Sequence, residues 1–442
     1  MSGELKNLTF FVRTFGCQMN ESDSERIAGI LCRAGAKKAA RPEDSDLIIV
    51  NTCAVRKKAE EKLFSYLGRL AQIKKKKLVQ VGVVGCVAQL RGLELLEKKF
   101  GVDFVLGPDN YGELPDILRT SPADKHISTA WSAEWHDTPL DLALHESTVS
   151  AYVPVMEGCN NFCSYCIVPF TRGREKYRPL SSIVEEVEDL GRKGFKEIQL
   201  LGQNVNSYRD PRSGGSFPDL LRATCRVEPI EWIRFLTSHP KNFTLEIAET
   251  MAAEKKICRQ LHLPLQSGAT SVLERMRRSY TQEDYLEKIA FLRRLMPDIS
   301  LSTDIIVGFP GESEKDFEES LAVLREVRFT NIFSFRYSPR PLTRASEFKD
   351  DVPGEEKSRR LAEVQALQKQ IQLENHGRKV GSVIKVLCLG PAKKTPHLYS
   401  GRDEGYEVVN FQSADDCSGS FVNVRVTGFG PYSLYGERIP VS

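Results

Sequence analysis

The chain has 442 residues, of which 41% are hydrophobic and 27% charged, and its formal net charge is +3. This composition fits a globular protein of about three domains and excludes a polycation, so any nucleic-acid surface must be local. The most apolar stretch, Leu78–Leu90, is too short to span a bilayer, and the N-terminal residues lack the pattern of a signal peptide. We therefore expect a cytoplasmic protein without membrane association.

Strands and helices alternate over the first two blocks of the chain. Residues 6–128 contain strand-like runs such as LTFFVRTFG, DLIIVNTCAV and LVQVGVVGCVAQ with helical patterns between them, which is typical of a doubly wound parallel sheet. Residues 121–148 resemble a linker. Residues 149–375 hold at least six further strand–helix units and predict a complete or partial α/β barrel. Residues 377–442 contain only short β-like runs, as expected of a small all-β barrel.

Cys17, Cys53 and Cys86 each lie at the end of a predicted strand in the first block, at intervals of 36 and 33 residues. Because the ends of parallel strands meet at one edge of a sheet, these three side chains can converge. Buried cysteines also serve as small hydrophobic residues, but three equivalent positions favour a shared metal cluster. The other cysteines show no such pattern and are predicted to be core or surface thiols: Cys32, Cys225, Cys258, Cys388 and Cys417.

A second set of cysteines follows the first predicted barrel strand. Cys159, Cys163 and Cys166 form a C-x3-C-x2-C pattern in the segment EGCNNFCSYC. Three thiolates on one short loop can bind three corners of an iron–sulfur cubane and leave its fourth iron open to another ligand. The alternatives are buried thiols or a zinc knuckle, but zinc needs a fourth Cys or His, and none follows within about fifty residues.

Polar residues at or near the ends of barrel strands are candidate cofactor contacts, although turns also favour such residues. They are Gln203, Asn204, Ser238, Gln266, and Asp304 at the start of DIIVG.

Basic residues are candidates for RNA phosphate contacts, with a solvated surface as the alternative. Four of them share the loop after the second cysteine set, and four lie in the C-terminal block: Arg172, Arg174, Lys176 and Arg178, then Lys385, Lys393, Lys394 and Arg402.

The triplet with Tyr165 before its last cysteine resembles the radical S-adenosylmethionine enzymes. The segments TFGCQMNESDSE, VNTCAVRKKAEEK, GCVAQLRG, HLPLQSGATSVLERM and DIIVGFPGES resemble the methylthiotransferases over nearly the entire chain, with a C-terminal barrel of the TRAM type. This resemblance implies two [4Fe-4S] clusters and S-adenosylmethionine as cofactors. It assigns the auxiliary cluster to Cys17, Cys53 and Cys86, and the catalytic, radical-forming cluster to the C-x3-C-x2-C set.

The residues after the first cysteine indicate the branch of the family. Gln18 and Met19 resemble the MiaB type, whereas the branch acting on a ribosomal protein usually has Pro-Lys there and the branch acting on threonylcarbamoyl-adenosine usually has Lys at position 18. The resemblance therefore implies methylthiolation of C2 of N6-isopentenyladenosine next to the tRNA anticodon. One S-adenosylmethionine would donate the methyl group and a second would yield a 5′-deoxyadenosyl radical.

The resemblance also implies partners: a tRNA carrying isopentenyladenosine, a low-potential electron donor, and a sulfur source for the auxiliary cluster. We expect a monomer. The remaining alternatives are another methylthiotransferase branch and a non-catalytic iron–sulfur module that binds RNA or transfers electrons.

Overall fold

The structure is a computed structural model that describes residues 5–120, 125–135, 143–393 and 395–439. These ranges contain no helix with the length and apolar character that crossing a membrane requires. Three assemblies follow one another along the chain: a parallel sheet, an open parallel barrel in two halves, and a closed barrel of five strands.

The first assembly is a parallel sheet flanked by helices. Its elements are β1 (Thr9–Phe15), α1 (Gln18–Arg33), β2 (Lys37–Lys38), β3 (Leu47–Thr52), α2 (Lys57–Lys74), β4 (Gln80–Val84), α3 (Cys86–Arg91), β5 (Phe104–Leu106), α4 (Leu114–Ile117) and β6 (His126–Ser128). The strand order is β2-β1-β3-β4-β5-β6, and every residue of β3 is buried. Helices on both faces explain this continuous apolar strand, and the predicted doubly wound sheet is confirmed.

The second assembly is a partial α/β barrel. Its elements are β7 (Ser150–Pro154), β8 (Met156–Glu157), α5 (Val168–Thr171), β9 (Lys176–Tyr177), α6 (Leu180–Arg192), β10 (Glu197–Leu201), α7 (Phe217–Cys225), β11 (Trp232–Phe235), α8 (Leu245–Ala253), β12 (Gln260–His262), α9 (Thr270–Arg275), α10 (Gln282–Leu295), β13 (Ser300–Val307), α11 (Glu314–Val327), β14 (Asn331–Arg336) and α12 (Gly354–Gly377). The parallel sheets β11-β10-β7 and β12-β13-β14 meet where the Cys258 amide donates to the Ile233 carbonyl over 3.0 Å.

The third assembly is the small all-β barrel that the C-terminal block predicts. It consists of β15 (Val383–Ala392), β16 (Thr395–Asp403), β17 (Val408–Gln412), β18 (Phe421–Phe429) and β19 (Leu434–Ile439), closed in the order β15-β16-β17-β19-β18. Closure pairs the edges of the sheet, and buried aliphatic side chains fill the interior. The expected α/β fold class with a C-terminal β-barrel is thus confirmed.

A turn of the C-terminal barrel plugs the central barrel. The Arg234 side chain of β11 donates to the carbonyl oxygens of Asp403 and Glu404, each over 2.7 Å. Its Nε donates to Glu197 Oε2 of β10 over 2.6 Å. The Tyr406 hydroxyl adds a hydrogen bond of 3.2 Å to the Gln199 amide oxygen. Because the Arg234 and Glu197 side chains are buried here, the β16–β17 turn seals one mouth of the barrel.

Replacing Arg234 by Met tests this seal. We expect a loss of about 3–5 kcal/mol in the free energy of unfolding, because Glu197 would keep a buried charge without a partner. The measurement is urea unfolding of the apoprotein followed by the fluorescence of Trp232, which lies against Phe421 of the C-terminal barrel. Arg222→Met is the control, since its pairs with Asp219 and Glu246 are exposed and worth at most about 1 kcal/mol. Equal losses in the two variants would contradict the expectation.

Candidate functional site

The first cysteine set lies at one edge of the N-terminal sheet. Cys17 caps α1 just after β1, Cys53 directly follows β3, and Cys86 opens α3 after β4. Strands β1, β3 and β4 are neighbours in the sheet, so their carboxyl ends bring the three side chains together. The Cys17 and Cys53 side chains are close enough for each to shift the pKa of the other, and Cys53 and Cys86 are buried. The convergence expected from the strand ends is therefore present.

The protonation of this set is uneven. The hydrogen bond from Cys53 lowers the pKa of Cys17 to about 6 in spite of burial. The same hydrogen bond, together with burial, raises the pKa of Cys53, and burial raises that of Cys86. One thiolate is thus favoured at neutral pH, while the other two thiols would release protons on binding a metal.

The second cysteine set occupies a loop that starts and ends in the antiparallel pair β8–β9. Gly158 precedes Cys159 with φ of 80°, and a side chain there would place Cβ 2.0 Å from the Arg174 carbonyl oxygen, so glycine is required. The Cys159 amide donates to the Gly173 carbonyl over 3.1 Å. Burial raises the pKa of Cys159 to about 11 and that of Cys166 to about 12.

Two side chains from distant barrel loops contact this second set. Arg278 is buried and donates from Nη1 to Cys163 Sγ and to the Tyr165 hydroxyl, each over 3.4 Å. His239 Nε2 lies 3.8 Å from the same sulfur. Burial and the nearby Arg278 charge lower the pKa of His239 to about 2, which keeps its imidazole neutral. Sequence reasoning missed both residues, because neither belongs to a motif with a recognisable spacing.

The donor sets suit the thiolate ligation of an iron–sulfur cluster. Among the described residues, no group of three or more His, Cys, Asp or Glu side chains is arranged to hold one metal ion. A cubane presents a separate iron to each thiolate, so its ligands need not converge on one point. Each set offers three sulfur atoms, and an arginine donates to one of them: Arg172 to Cys86, and Arg278 to Cys163.

Three of the predicted cofactor contacts surround the loop of the second cysteine set. The Gln203 amide oxygen accepts a hydrogen bond from the Gly158 amide. Asn204 Oδ1 and Ser238 Oγ are buried and have no hydrogen-bond partner among the described residues. Buried polar atoms normally have a partner, so these two atoms suit a polar ligand beside the cysteines.

The other two predicted contacts lie in the second half of the barrel. Gln266 is buried with φ of 74°, and its backbone N–H donates to the backbone carbonyl oxygen of Asp304 over 2.8 Å. Asp304 lies within β13, which ends at Val307, and its contact with a cofactor stays a prediction. Burial alternates along β13 from Ser300 to Val307, with Asp304 of intermediate exposure.

The basic loop after the second cysteine set is largely an internal ion-pair network. Arg172 pairs with Asp23, Lys176 with Asp109, and Arg178 with Glu186, and all six side chains are buried or nearly so. RNA contact by the three cations is therefore contradicted, because carboxylates inside the protein already neutralise them. Arg174 is exposed and lies 5.8 Å from the ring of Phe162, so its predicted contact with RNA stays open.

The predicted basic residues of the C-terminal barrel differ in their surroundings. Lys385 lies 4.1 Å from the Phe421 ring and 3.6 Å from Glu231, at the contact with the central barrel. Arg402 lies 4.4 Å from the ring of Tyr406. Lys393 is exposed, and Lys394 lies outside the described residues. RNA contact by these residues remains a prediction.

A cavity of about 780 Å³ opens between all three assemblies. Gly16, the residue before Cys17, belongs to its wall. The wall also carries exposed aromatic rings: Phe333 and Phe335 from β14, and Tyr432, which is 80% exposed, from the C-terminal barrel. We name this cavity the interdomain cleft.

Cationic side chains dominate the charged lining of the interdomain cleft. They are Arg13, Arg56, Lys58, Lys62 and Lys369. Within the part of the chain that the structure describes, none of the five is in an ion pair. Glu21, the carboxylate in the described lining, accepts a hydrogen bond from Tyr152 over 2.9 Å. Unpaired cations with exposed rings are the combination that single-stranded nucleic acid prefers. No spacing in the sequence reveals this surface, because five separate segments contribute to it.

Comparison with known proteins identifies the two larger assemblies. Residues 9–107 match the model of the uncharacterized protein family UPF0004, and residues 153–324 match that of the radical SAM superfamily. A solved structure, the radical S-adenosylmethionine methyltransferase TsrM from Kitasatospora setae, superposes with a TM-score of 0.56 at 16% identity, covering 89% of this chain and 77% of that one. At this identity the likeness supports the fold alone. The radical SAM match implies S-adenosylmethionine and a [4Fe-4S] cluster as cofactors.

Full-length relatives carry one name, tRNA-2-methylthio-N(6)-dimethylallyladenosine synthase. The protein of that name from Syntrophobacter fumaroxidans is 45% identical, over 97% of this chain and 95% of its own. Those from Chlorobium luteolum and Geobacter metallireducens are each 44% identical, over 97% of both chains. Identity at this level over nearly the whole length shows that the chain belongs to the tRNA-2-methylthio-N(6)-dimethylallyladenosine synthase family of radical SAM enzymes.

Proposed function

We propose that this enzyme attaches a methylthio group to C2 of N6-isopentenyladenosine beside the anticodon of tRNA. The observation that carries this proposal is the pairing of two incomplete cysteine sets in one chain. A radical SAM reaction needs one such set, and a second set would hold the additional cluster that supplies sulfur for insertion. Membership of the synthase family agrees with this substrate.

The residues suit two [4Fe-4S] clusters. Cys159, Cys163 and Cys166 would hold the radical-forming cluster, and Cys17, Cys53 and Cys86 the auxiliary one. With S-adenosylmethionine bound, the first cluster would supply the electron for its reductive cleavage, and the second would supply sulfur for transfer. The chain itself binds and orients the reactants: Asn204 Oδ1 and Ser238 Oγ offer buried partners for the polar groups of S-adenosylmethionine, with Gln203, Gln266 and Asp304 as further candidates.

The interdomain cleft is the proposed RNA-binding surface. Its cations can pair with phosphates, and Phe333, Phe335 and Tyr432 can stack on unpaired bases of the anticodon loop. Gly16 in its wall would bring a bound base close to the auxiliary cluster at Cys17. Such alignment of substrate and sulfur raises the effective concentration of the reacting groups. Arg174 remains a second candidate for contact with RNA.

Several partners follow from this chemistry. Reductive cleavage of S-adenosylmethionine needs a low-potential electron donor, and repeated turnover needs a sulfur source for the auxiliary cluster. We propose that the enzyme acts in the cytoplasm, where other steps of tRNA maturation take place. The proposed form of the enzyme is a monomer.

Expression of the chain in a bacterium that lacks 2-methylthio-N6-isopentenyladenosine tests the substrate. We expect the modified nucleoside to reappear in digested tRNA, because the chain carries both cysteine sets. Mass spectrometry of the nucleosides is the measurement, and Cys159→Ala is the inactive control. Modification of threonylcarbamoyl-adenosine instead would overturn the assignment of the substrate. Without either product, a reconstituted sample that releases no 5′-deoxyadenosine would indicate a non-catalytic iron–sulfur module.

Single cysteine variants test the two-cluster assignment. After anaerobic reconstitution, Cys17→Ala and Cys159→Ala should each lose about half of the iron and sulfide, because each variant removes one ligand of one four-iron cluster. Elemental analysis is the measurement. Cys225→Ala is the control, since this buried thiol belongs to neither set and should keep full loading. Unchanged iron in Cys17→Ala would remove the auxiliary site from the proposal.

Substitution of Tyr432 tests the interdomain cleft. Tyr432→Ala should weaken binding of an isopentenylated anticodon stem–loop by about fivefold or more, because stacking on one base contributes about 1–3 kcal/mol. Fluorescence anisotropy at fixed salt measures the affinity. Tyr435→Ala is the matched control, because this tyrosine is exposed on the same barrel but does not line the cleft. Equal affinities of the two variants would contradict RNA binding at the cleft.

A further inference from the structure

Arg172 joins the two halves of the candidate site. Its Nε donates to Cys86 Sγ over 3.2 Å, and its two terminal nitrogens donate to the carboxylate of Asp23. Nη1 also lies 4.0 Å from Glu157 Oε1. Arg172 is 3% exposed, so a single buried guanidinium contacts three separate segments of the chain.

These segments lead to both cysteine sets. Asp23 lies on α1, the helix that Cys17 caps, and Cys86 belongs to the same set. Glu157 lies two residues before Cys159, and Arg172 itself lies six residues after Cys166. The side chain therefore links the auxiliary cysteines to both ends of the other cysteine loop.

The surrounding groups hold the guanidinium in one orientation. The Tyr111 hydroxyl donates to Asp23 Oδ2 over 3.2 Å, and Lys176 lies 3.7 Å from Glu157. A bidentate pair with a carboxylate fixes the plane of an arginine, which a lysine ammonium cannot reproduce. Arg178 provides a contrast within the same loop, because it donates to Glu186, to Ser182 and to the Pro154 carbonyl oxygen, all of which belong to the central barrel.

We propose that Arg172 is a positioning residue that orients Cys86 and raises the reduction potential of the auxiliary cluster. The inference rests on the proposed function, since it takes Cys86 as a ligand of that cluster. A hydrogen bond to a ligand sulfur, with a buried positive charge, stabilises the reduced and more negative state of the cluster. Loss of the guanidinium should therefore make the cluster harder to reduce.

The experiment isolates the auxiliary cluster. The parent is the full chain with Cys159, Cys163 and Cys166 replaced by Ala, reconstituted with iron and sulfide without oxygen. Arg172→Gln removes the charge. Arg172→Lys keeps the charge but loses the planar guanidinium that makes the bidentate pair with Asp23. Arg178→Lys is the matched control, equally buried on the same loop. Potentiometric titration with electron paramagnetic resonance detection gives the midpoint potential and g-values, and elemental analysis gives the iron content.

We expect Arg172→Gln to raise the oxidised-to-reduced ratio at the parent's midpoint potential at least tenfold. Arg172→Lys should change it less but shift the g-values, and Arg178→Lys should change neither. An unshifted potential and unshifted g-values in a fully loaded Arg172 variant would overturn the inference. If both Arg172 variants lose iron while Arg178→Lys keeps it and all apoproteins melt alike, the positioning role is supported; equal loss in Arg178→Lys would overturn it.

Failure of the proposed function gives a different result. If the parent itself binds no iron, the assignment of Cys17, Cys53 and Cys86 to a cluster is wrong. If the parent is loaded and the Arg172 variants match it, only the role of Arg172 is wrong.

Discussion

The buried ion pair between Arg172 and Asp23 is the interaction on which the candidate site depends. Removing two charges from water is costly, and the pair recovers this cost only in a well-defined geometry with further hydrogen bonds. Tyr111 and Cys86 supply those bonds. Because the partners belong to different assemblies, this geometry can form only when the N-terminal sheet and the barrel are docked. The same contact thus fixes the fold and brings both cysteine sets to one side of the molecule.

The sequence predicted those parts of the site that depend on local order. Cys159, Cys163 and Cys166 share one loop, so their spacing was sufficient. Cys17, Cys53 and Cys86 are distant in sequence, but they follow strands of one parallel sheet, and the topology of such sheets brings strand ends together. Arg278 and His239 could not be found in this way, because their approach to Cys163 depends on how separate barrel loops fold over the site.

The RNA-binding surface could not be predicted from the sequence. A run of basic residues has the same sequence pattern whether its side chains face water or buried carboxylates. The carboxylate partners of Arg172, Lys176 and Arg178 lie in other segments of the chain. The interdomain cleft is likewise assembled from scattered exposed cations and rings. Partner identity is a property of the tertiary fold, so hydropathy and charge patterns along the chain could not distinguish the buried network from the open surface.

The β16–β17 turn makes the C-terminal barrel a structural part of the central barrel. It is not an independent RNA-binding appendage, because Arg234 relies on the carbonyl oxygens of Asp403 and Glu404 for its hydrogen bonds. A chain shortened at Gly377 would expose this arginine, the Glu197 carboxylate and the adjoining Trp232 ring to water. Any module that replaced this barrel would therefore need a loop that caps the mouth of the central barrel and accepts hydrogen bonds from Arg234.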